Sequence, residues 1–243
     1  MNDNNNDEFL ISGKSSFCYD VPFRVHETGT EKIEKPLVLY LHGFKDNLEV
    51  FSERCSEIVD KVEAYHLFIQ GPYPIYDRRS KKKVKDWGAS WYLYDGEQEQ
   101  FLSSLEQTSV FIDKILKEMK NSIKVERTCL IGYSMGGYLA GYYSLTRPKL
   151  VNELIVAGAR IKTEILEEKW ELISHLNILA LHGEHDKLVD YQPQRNEIKR
   201  LINHNVSAEF KLIDQKHRFN DEFISLICEW LSNKNYRLFN TIK

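Results

Sequence analysis

Short apolar runs, each followed by a segment with helical spacing, constrain this chain more than any other feature. Residues 37–41 (LVLYL), 65–69, 127–132, 154–157 and 178–181 are apolar nearly throughout, so strands formed there must be covered on both faces. That requirement predicts a parallel sheet between two helical layers, a doubly wound α/β architecture. The intervening segments supply the helices. Leu48, Phe51, Cys55, Ile58, Val59 and Val62 share one helical face over residues 47–63. Phe101, Leu105, Ile112, Ile115, Leu116 and Met119 mark a second amphipathic helix. Further helices are predicted over 135–147, where Pro148 stops the pattern, over 163–174, from Pro193 to about 203, and around Phe223, Ile224, Ile227, Trp230 and Leu231. Residues 207–213 form the last strand.

The N-terminal part departs from this alternation. Residues 1–8 are polar and acidic and read as a disordered lead. Residues 9–27 carry Phe9, Ile11, Phe17, Tyr19, Val21, Phe23 and Val25 in partial alternation, which predicts an antiparallel hairpin with Pro22 at an edge or a bulge. A secretory signal needs a basic start and an apolar stretch, and this N-terminus has neither. No apolar run approaches the roughly 20 residues that span a bilayer. The expectation is a soluble cytoplasmic protein with no stable membrane insertion.

Charge narrows the partners. The 33 Lys and Arg against 36 Asp and Glu leave a formal net charge of −3, which argues against a nucleic-acid binder. The basic run Arg78-Arg79-Ser80-Lys81-Lys82-Lys83 lies in a long loop over residues 71–98. It reads as a solvated loop, since no amphipathic anchor accompanies it. Cys18, Cys55, Cys129 and Cys228 form no CxxC pair, so neither a zinc site nor a disulfide scaffold is supported. They are expected as buried thiols in a reducing compartment.

Chemistry enters with Gly132-Tyr133-Ser134-Met135-Gly136, a G-x-S-x-G pattern that composition alone produces about 0.04 times in such a chain. An apolar strand precedes it and a helix follows, the setting of a nucleophile elbow. A Cβ at Gly132 or Gly136 would clash where strand and helix crowd together, and Gly137 suits close packing as well. The turn lifts the Ser134 hydroxyl above the sheet beside the free N–H groups of a helix N-terminus. The alternative is a glycine-rich turn with Ser134 as a simple helix N-cap.

A neutral serine needs a general base oriented by a carboxylate, in the chain order Ser, Asp or Glu, His. Asp186 sits in the turn after the 178–181 strand, where Leu188 and Val189 could bury it; Glu184 and Asp190 are its rivals. His217 lies between the last strand and the last helix and is the candidate base. His182 and His185 stand in the wrong order for that task, and His42 is expected to shape a loop. An oxyanion hole needs two backbone donors. Met135 N–H, next to the nucleophile, and Phe44 N–H, from the loop after the 37–41 strand, are the candidates.

At this point LHGFKDN (41–47), QGPYP (70–74), GASWY (88–92), GYSMGG (132–137), LHGEHDKLV (181–189) and KHRF (216–219) can be taken together. They resemble the α/β-hydrolase superfamily, and within it the phospholipase/carboxylesterase group of small serine esterases that includes acyl-protein thioesterases. The resemblance implies one α/β-hydrolase domain over residues 9–243, with a mostly parallel central sheet and helices on both faces. It implies a Ser134–Asp186–His217 triad, an acyl-enzyme, and short-chain or lipid-like carboxylic esters or thioesters as substrates. Met135 departs from the group, where many members carry Gln, but the backbone donor survives the change.

The short spacings between the three residues leave no room for a large lid domain, so access depends on loops, foremost 71–98. Its aromatic residues suit an acyl or aryl group. Trp87, Trp91, Tyr92 and, beside the serine, Tyr133 are the candidate substrate contacts, although Trp91 equally fits a small core beneath the loop. The first reading is thus a serine esterase that needs no cofactor and no metal and takes a small-molecule ester or thioester. A peptidase or other acyl hydrolase on the same triad, and a non-catalytic binding protein of this fold, are its rivals. Monomer and homodimer stay equally open.

Overall fold

The computed structural model describes residues 13, 15, 18–30, 34–78 and 81–239. The lead at residues 1–8, the positions Phe9, Ile11 and Phe17 of the expected hairpin, and Arg79 and Ser80 of the basic run lie outside the described residues. In chain order the elements are β1 (Phe23–Glu27), β2 (Glu34–Leu41), α1 (Leu48–Arg54), α2 (Ser56–Lys61), β3 (Tyr65–Ile69), β4 (Tyr73–Pro74), β5 (Ala89–Ser90), α3 (Gln98–Met119), β6 (Lys124–Tyr133), α4 (Met135–Thr146), β7 (Glu153–Ala157), β8 (Asn177–Gly183), α5 (Tyr191–Asn203), β9 (Ser207–Ile213) and α6 (Asp221–Asn233). Seven strands make one sheet in the order β1-β3-β2-β6-β7-β8-β9. Among the described strands of this sheet only β1 runs antiparallel, against β3. The small β4–β5 pair stands apart.

Strand periodicity divides the apolar residues between two cores. Leu39, Leu67, Leu130 and Leu154 face one layer with Leu105 and Ile112 of α3, Leu139 of α4 and Ile198 of α5. Val38, Tyr40, Cys129 and Ile131 face the other with Phe51, Ile58, Phe223 and Ile227 of α1, α2 and α6. Both faces are covered, as the continuous apolar runs require. Among the described residues no helix is long and apolar enough to cross a membrane.

Four local expectations are corrected. No hairpin forms within the described part of residues 9–27: Tyr19 and Val21 are outside any strand, and β1 pairs with β3 instead. Pro22, which has no N–H to donate, precedes β1, and its carbonyl accepts from Gln70 N–H at 3.0 Å. The 47–63 helix is two helices, broken at Cys55 (φ −91°, ψ 5°), which keeps Phe51, Cys55 and Ile58 all buried. The 163–174 helix is two short 3-10 turns, because Glu167 (φ 48°) and Glu168 (φ 66°) are left-handed and no right-handed helix passes through them. Buried Leu166, Trp170 and Ile173 recur at helical spacing there, which is why the sequence pattern misleads. Finally, Cys18 is exposed, in the irregular stretch before β1, while Cys55, Cys129 and Cys228 are buried.

The sheet and α4 cross so closely that backbone touches backbone. A Cβ on Gly132 would stand 2.4 Å from the Gly136 carbonyl oxygen, and one on Gly136 2.2 Å from that of Leu41. Gly136→Ala is therefore expected to lower stability by about 3 kcal/mol or more through overpacking, seen as a drop in the urea midpoint. Gly141→Ala, whose Cβ would meet Ile161 at an ordinary 3.4 Å, should change stability by less than about 1 kcal/mol, in the stabilising direction.

Candidate active site

Ser134 occupies the turn between β6 and α4 with φ 51° and ψ −117°, a backbone conformation that L-residues rarely adopt. Its N–H donates to the Ala157 carbonyl at 2.8 Å, and its own carbonyl accepts from Gly137 N–H at 2.8 Å. These bonds hold the strained turn. They aim the half-buried side chain away from the sheet, next to the first residue of α4.

The loops after β8 and β9 bring two more side chains to this point. His217 Nε2 lies 2.9 Å from Ser134 Oγ, and His217 Nδ1 lies 2.6 Å from Asp186 Oδ2. The Asp186 side chain is 1% exposed. Of the pair Leu188 and Val189, the first is itself 78% exposed and does not bury it. They serve through their backbone: both amides donate to Asp186 Oδ1, at 2.8 and 2.9 Å. Burial pushes the Asp186 carboxyl up, but the Val189 amide, His217 and the Leu188 amide together hold it below its ordinary 3.8. Its rivals are elsewhere: Asp190 caps α5 by accepting from Gln192 N–H at 3.0 Å, and Glu184 is exposed.

His182 is a member of this cluster that chain order excluded as a base. Its side chain is fully buried; Nε2 lies 3.0 Å from the Val189 carbonyl and 3.3 Å from Asp186 Oδ2. Nδ1 is buried with no partner, so the proton belongs on Nε2, where it is donated. Burial lowers its pKa, consistent with a neutral ring. No spacing rule identifies such a residue, since its role depends on the loop folding back. His185 turns outward to Asp214 at 2.8 Å.

The loop after β2 forms the opposite wall. His42 is 1% exposed, and burial lowers its pKa to about 4. The neutral ring donates from Nδ1 to the Gly43 carbonyl at 2.8 Å and accepts at Nε2 from Gly71 N–H at 3.0 Å, which is the loop-shaping expected of it. Phe44, Ser134 and Met135 line one cleft of about 490 Å³. Among the described residues, neither Phe44 N–H nor Met135 N–H has a protein acceptor.

The four aromatic candidates separate. Tyr92 lines the cleft. Trp91 does not: it is fully buried, and its indole N–H donates to the His42 carbonyl at 2.7 Å, so it belongs to the core beneath the loop. Trp87 packs on Tyr76 (ring centroids 5.0 Å apart) and donates to the Lys82 carbonyl, away from the lining. Tyr133 backs the base, its ring centroid 5.2 Å from that of His217. The remaining walls are Tyr73, Pro74, Ile75, Leu93, Tyr94 and Tyr138, with Ser90. Ile75, Ser90 and Tyr138 escaped sequence reasoning because aromatic content in one loop was the only signal, and Tyr138 lies on α4. Among the described residues no cluster of three or more His, Cys, Asp or Glu could hold a metal ion.

Residues 25–235 match the family described as Phospholipase/Carboxylesterase. Among solved structures, esterase PE8 is similar with a TM-score of 0.68 at 17% identity, covering 88% of this chain and 99% of its own. The Bacillus cereus carboxylesterase follows with 0.63 at 18%, covering 88% and 94%. Acyl-protein thioesterase 2 of Zea mays gives 0.61 at 16%, covering 86% and 98%. At these identities the likeness is one of fold. No curated protein matches the sequence.

The depressed Asp186 pKa has a measurable sign. A carboxyl that binds its proton more weakly folded than unfolded adds stability above its unfolded pKa of roughly 3.9 and loses it as pH falls through the folded value. The stability advantage of wild type over Asp186→Asn in urea unfolding is expected to hold from pH 7 down to about pH 4 and to shrink below it. An advantage that stays constant to pH 2 would contradict the assignment.

Proposed function

This chain belongs to the phospholipase/carboxylesterase family, and from that premise we propose that it is a serine hydrolase cleaving carboxylic esters or thioesters through an acyl-enzyme on Ser134. The observation that carries the reading is the unbroken relay from Ser134 Oγ through His217 to Asp186, at 2.9 and 2.6 Å. His217 Nε2 takes the serine proton as Oγ attacks the carbonyl carbon. Asp186 holds the Nδ1–H tautomer and stabilises the imidazolium that forms. Met135 N–H and Phe44 N–H, both without an acceptor among the described residues, receive the developing oxyanion. His217 then protonates the leaving alcohol or thiol, and a water activated by the same imidazole releases the acid.

Among the described residues no charged side chain lines the cleft, which favours an uncharged acyl group, since a carboxylate there would be desolvated without a partner. The related structures carry the names esterase, carboxylesterase and acyl-protein thioesterase, which supports oxygen esters and thioesters alike.

Ser134→Ala should remain folded and lose roughly 10⁴–10⁶ in kcat/KM on p-nitrophenyl butyrate. Fluorophosphonate labelling should likewise reach wild type and not the variant. Retention of most esterase activity by Ser134→Ala would overturn the proposal. Acyl charge supplies a second test. The p-nitrophenyl ester of a hemisuccinate should be turned over at least about tenfold less efficiently than the butyrate, because its carboxylate enters a cleft whose described lining holds no cation.

A further inference from the structure

Asp186 reaches the relay from the turn that leaves β8, past its last residue Gly183. Its two oxygens divide the work. Oδ1 accepts from the amides of Leu188 and Val189, at 2.8 and 2.9 Å, and Oδ2 faces His217 Nδ1 at 2.6 Å. The aim of the carboxylate at the base is therefore set by where the Leu188 and Val189 peptides lie. Both belong to the turn itself, and the exposed Leu188 side chain gives that turn no apolar anchor.

His182 supplies one. It stands in β8 opposite Leu212 of β9, on a strand paired along both sides, so its backbone is as fixed as the sheet. Its ring is fully buried, and Nε2–H donates to the Val189 carbonyl at 3.0 Å. The same nitrogen lies 3.3 Å from Asp186 Oδ2. Val189 is thus gripped twice, its N–H by Asp186 and its carbonyl by His182. A continuous path of contacts runs from the sheet through His182 and Val189 to Asp186, and on to His217.

The charged and titratable groups facing the ring are Asp186, His217 and Asp190, with the Tyr191 ring 6.4 Å away. Nδ1 is buried with no partner among the described residues, and a proton there would be desolvated without an acceptor. The ring therefore stays neutral, with its one proton on Nε2. Neutrality matters here. A second cation beside Asp186 would compete with the His217 imidazolium for the carboxylate, whereas a neutral donor holds the turn without competing.

We infer that His182 is a positioning residue of the relay: its Nε2–H ties the Asp186 turn to β8 and so aims the carboxylate at His217. The inference rests on the serine-hydrolase reading for its effect on rate, but its geometry can be read without turnover. His182 is not among the residues that line the cleft, so substrate binding should not register its loss.

The test compares three substitutions. His182→Gln carries an amide N–H to about the place of Nε2, His182→Asn stops short of it, and His182→Leu has no donor. Single-turnover acylation by p-nitrophenyl butyrate separates the rate constant from the dissociation constant. Asn and Leu should lower the rate constant roughly tenfold to a hundredfold, the loss typical when a partner that orients a metal-bound group is removed. Their dissociation constants should stay within about twofold of wild type, and Gln should recover most of the rate. The downfield proton resonance of His217 Nδ1–H, recorded without substrate, should shift or broaden in Asn and Leu and return in Gln. If Leu fails to fold, Asn against Gln decides. Wild-type acylation by the Asn variant, equal losses in Asn and Gln, a weaker dissociation constant at unchanged rate, or an unaltered Nδ1–H resonance in a slow variant would each overturn the inference. Activity surviving Ser134→Ala would instead strike the hydrolase reading and leave the resonance comparison standing.

Discussion

The contact on which the rest of the site depends is backbone against backbone, where α4 passes over the ends of β2 and β6. With hydrogen in place of Cβ at Gly132 and Gly136, the helix sinks until the latter meets the carbonyls of Leu41 and His42. That approach sets the height of Ser134 over the sheet. It also brings the start of α4 beside the loop that begins at His42, so that Met135 and Phe44 line the same cleft. A helix one methyl group further out would separate the two walls, and no side-chain adjustment could restore them.

The remaining parts are delivered by the parallel sheet. Phe44, Ser134, Asp186 and His217 each follow the carboxyl end of a different strand, β2, β6, β8 and β9, where sheets of this kind concentrate their functional loops. Three histidines near this edge do three different things because their surroundings differ. His42 is buried among backbone groups and holds a loop. His182 is buried beside the carboxylate and donates to the loop that carries it. Only His217 reaches a hydroxyl on one side and a carboxylate on the other.

Legibility in the sequence followed the length scale of the signal. The alternation of strand and helix, and with it the doubly wound sheet, was readable because it is carried by many residues at once. Ser134, Asp186 and His217 each follow a strand that the sequence predicts, and the structure brings the three side chains within hydrogen-bonding distance. What failed was decided by tertiary contact. Trp91 and Tyr92 are neighbours with similar composition around them, yet one indole finds the His42 carbonyl and is buried while the other ring faces the cleft. The 163–174 segment has helical spacing, but Glu167 and Glu168 adopt left-handed backbone, which no hydrophobic period encodes. Likewise, His182 acquires its place only when Val189 folds back over it.

The chain between β4 and β5 is stapled to the cleft wall at both stems of its excursion, and this has an evolutionary consequence. Because the bonds from Lys45, Asn47 and Gly88 fix the points where the excursion leaves and rejoins the wall, residues between them can be inserted, deleted or recharged without displacing the nucleophile or its relay. Selection can therefore change what the molecule approaches while leaving untouched what it does on arrival. In a scaffold whose chemical machinery tolerates almost no movement, this detachable margin is where divergence between relatives has room to accumulate.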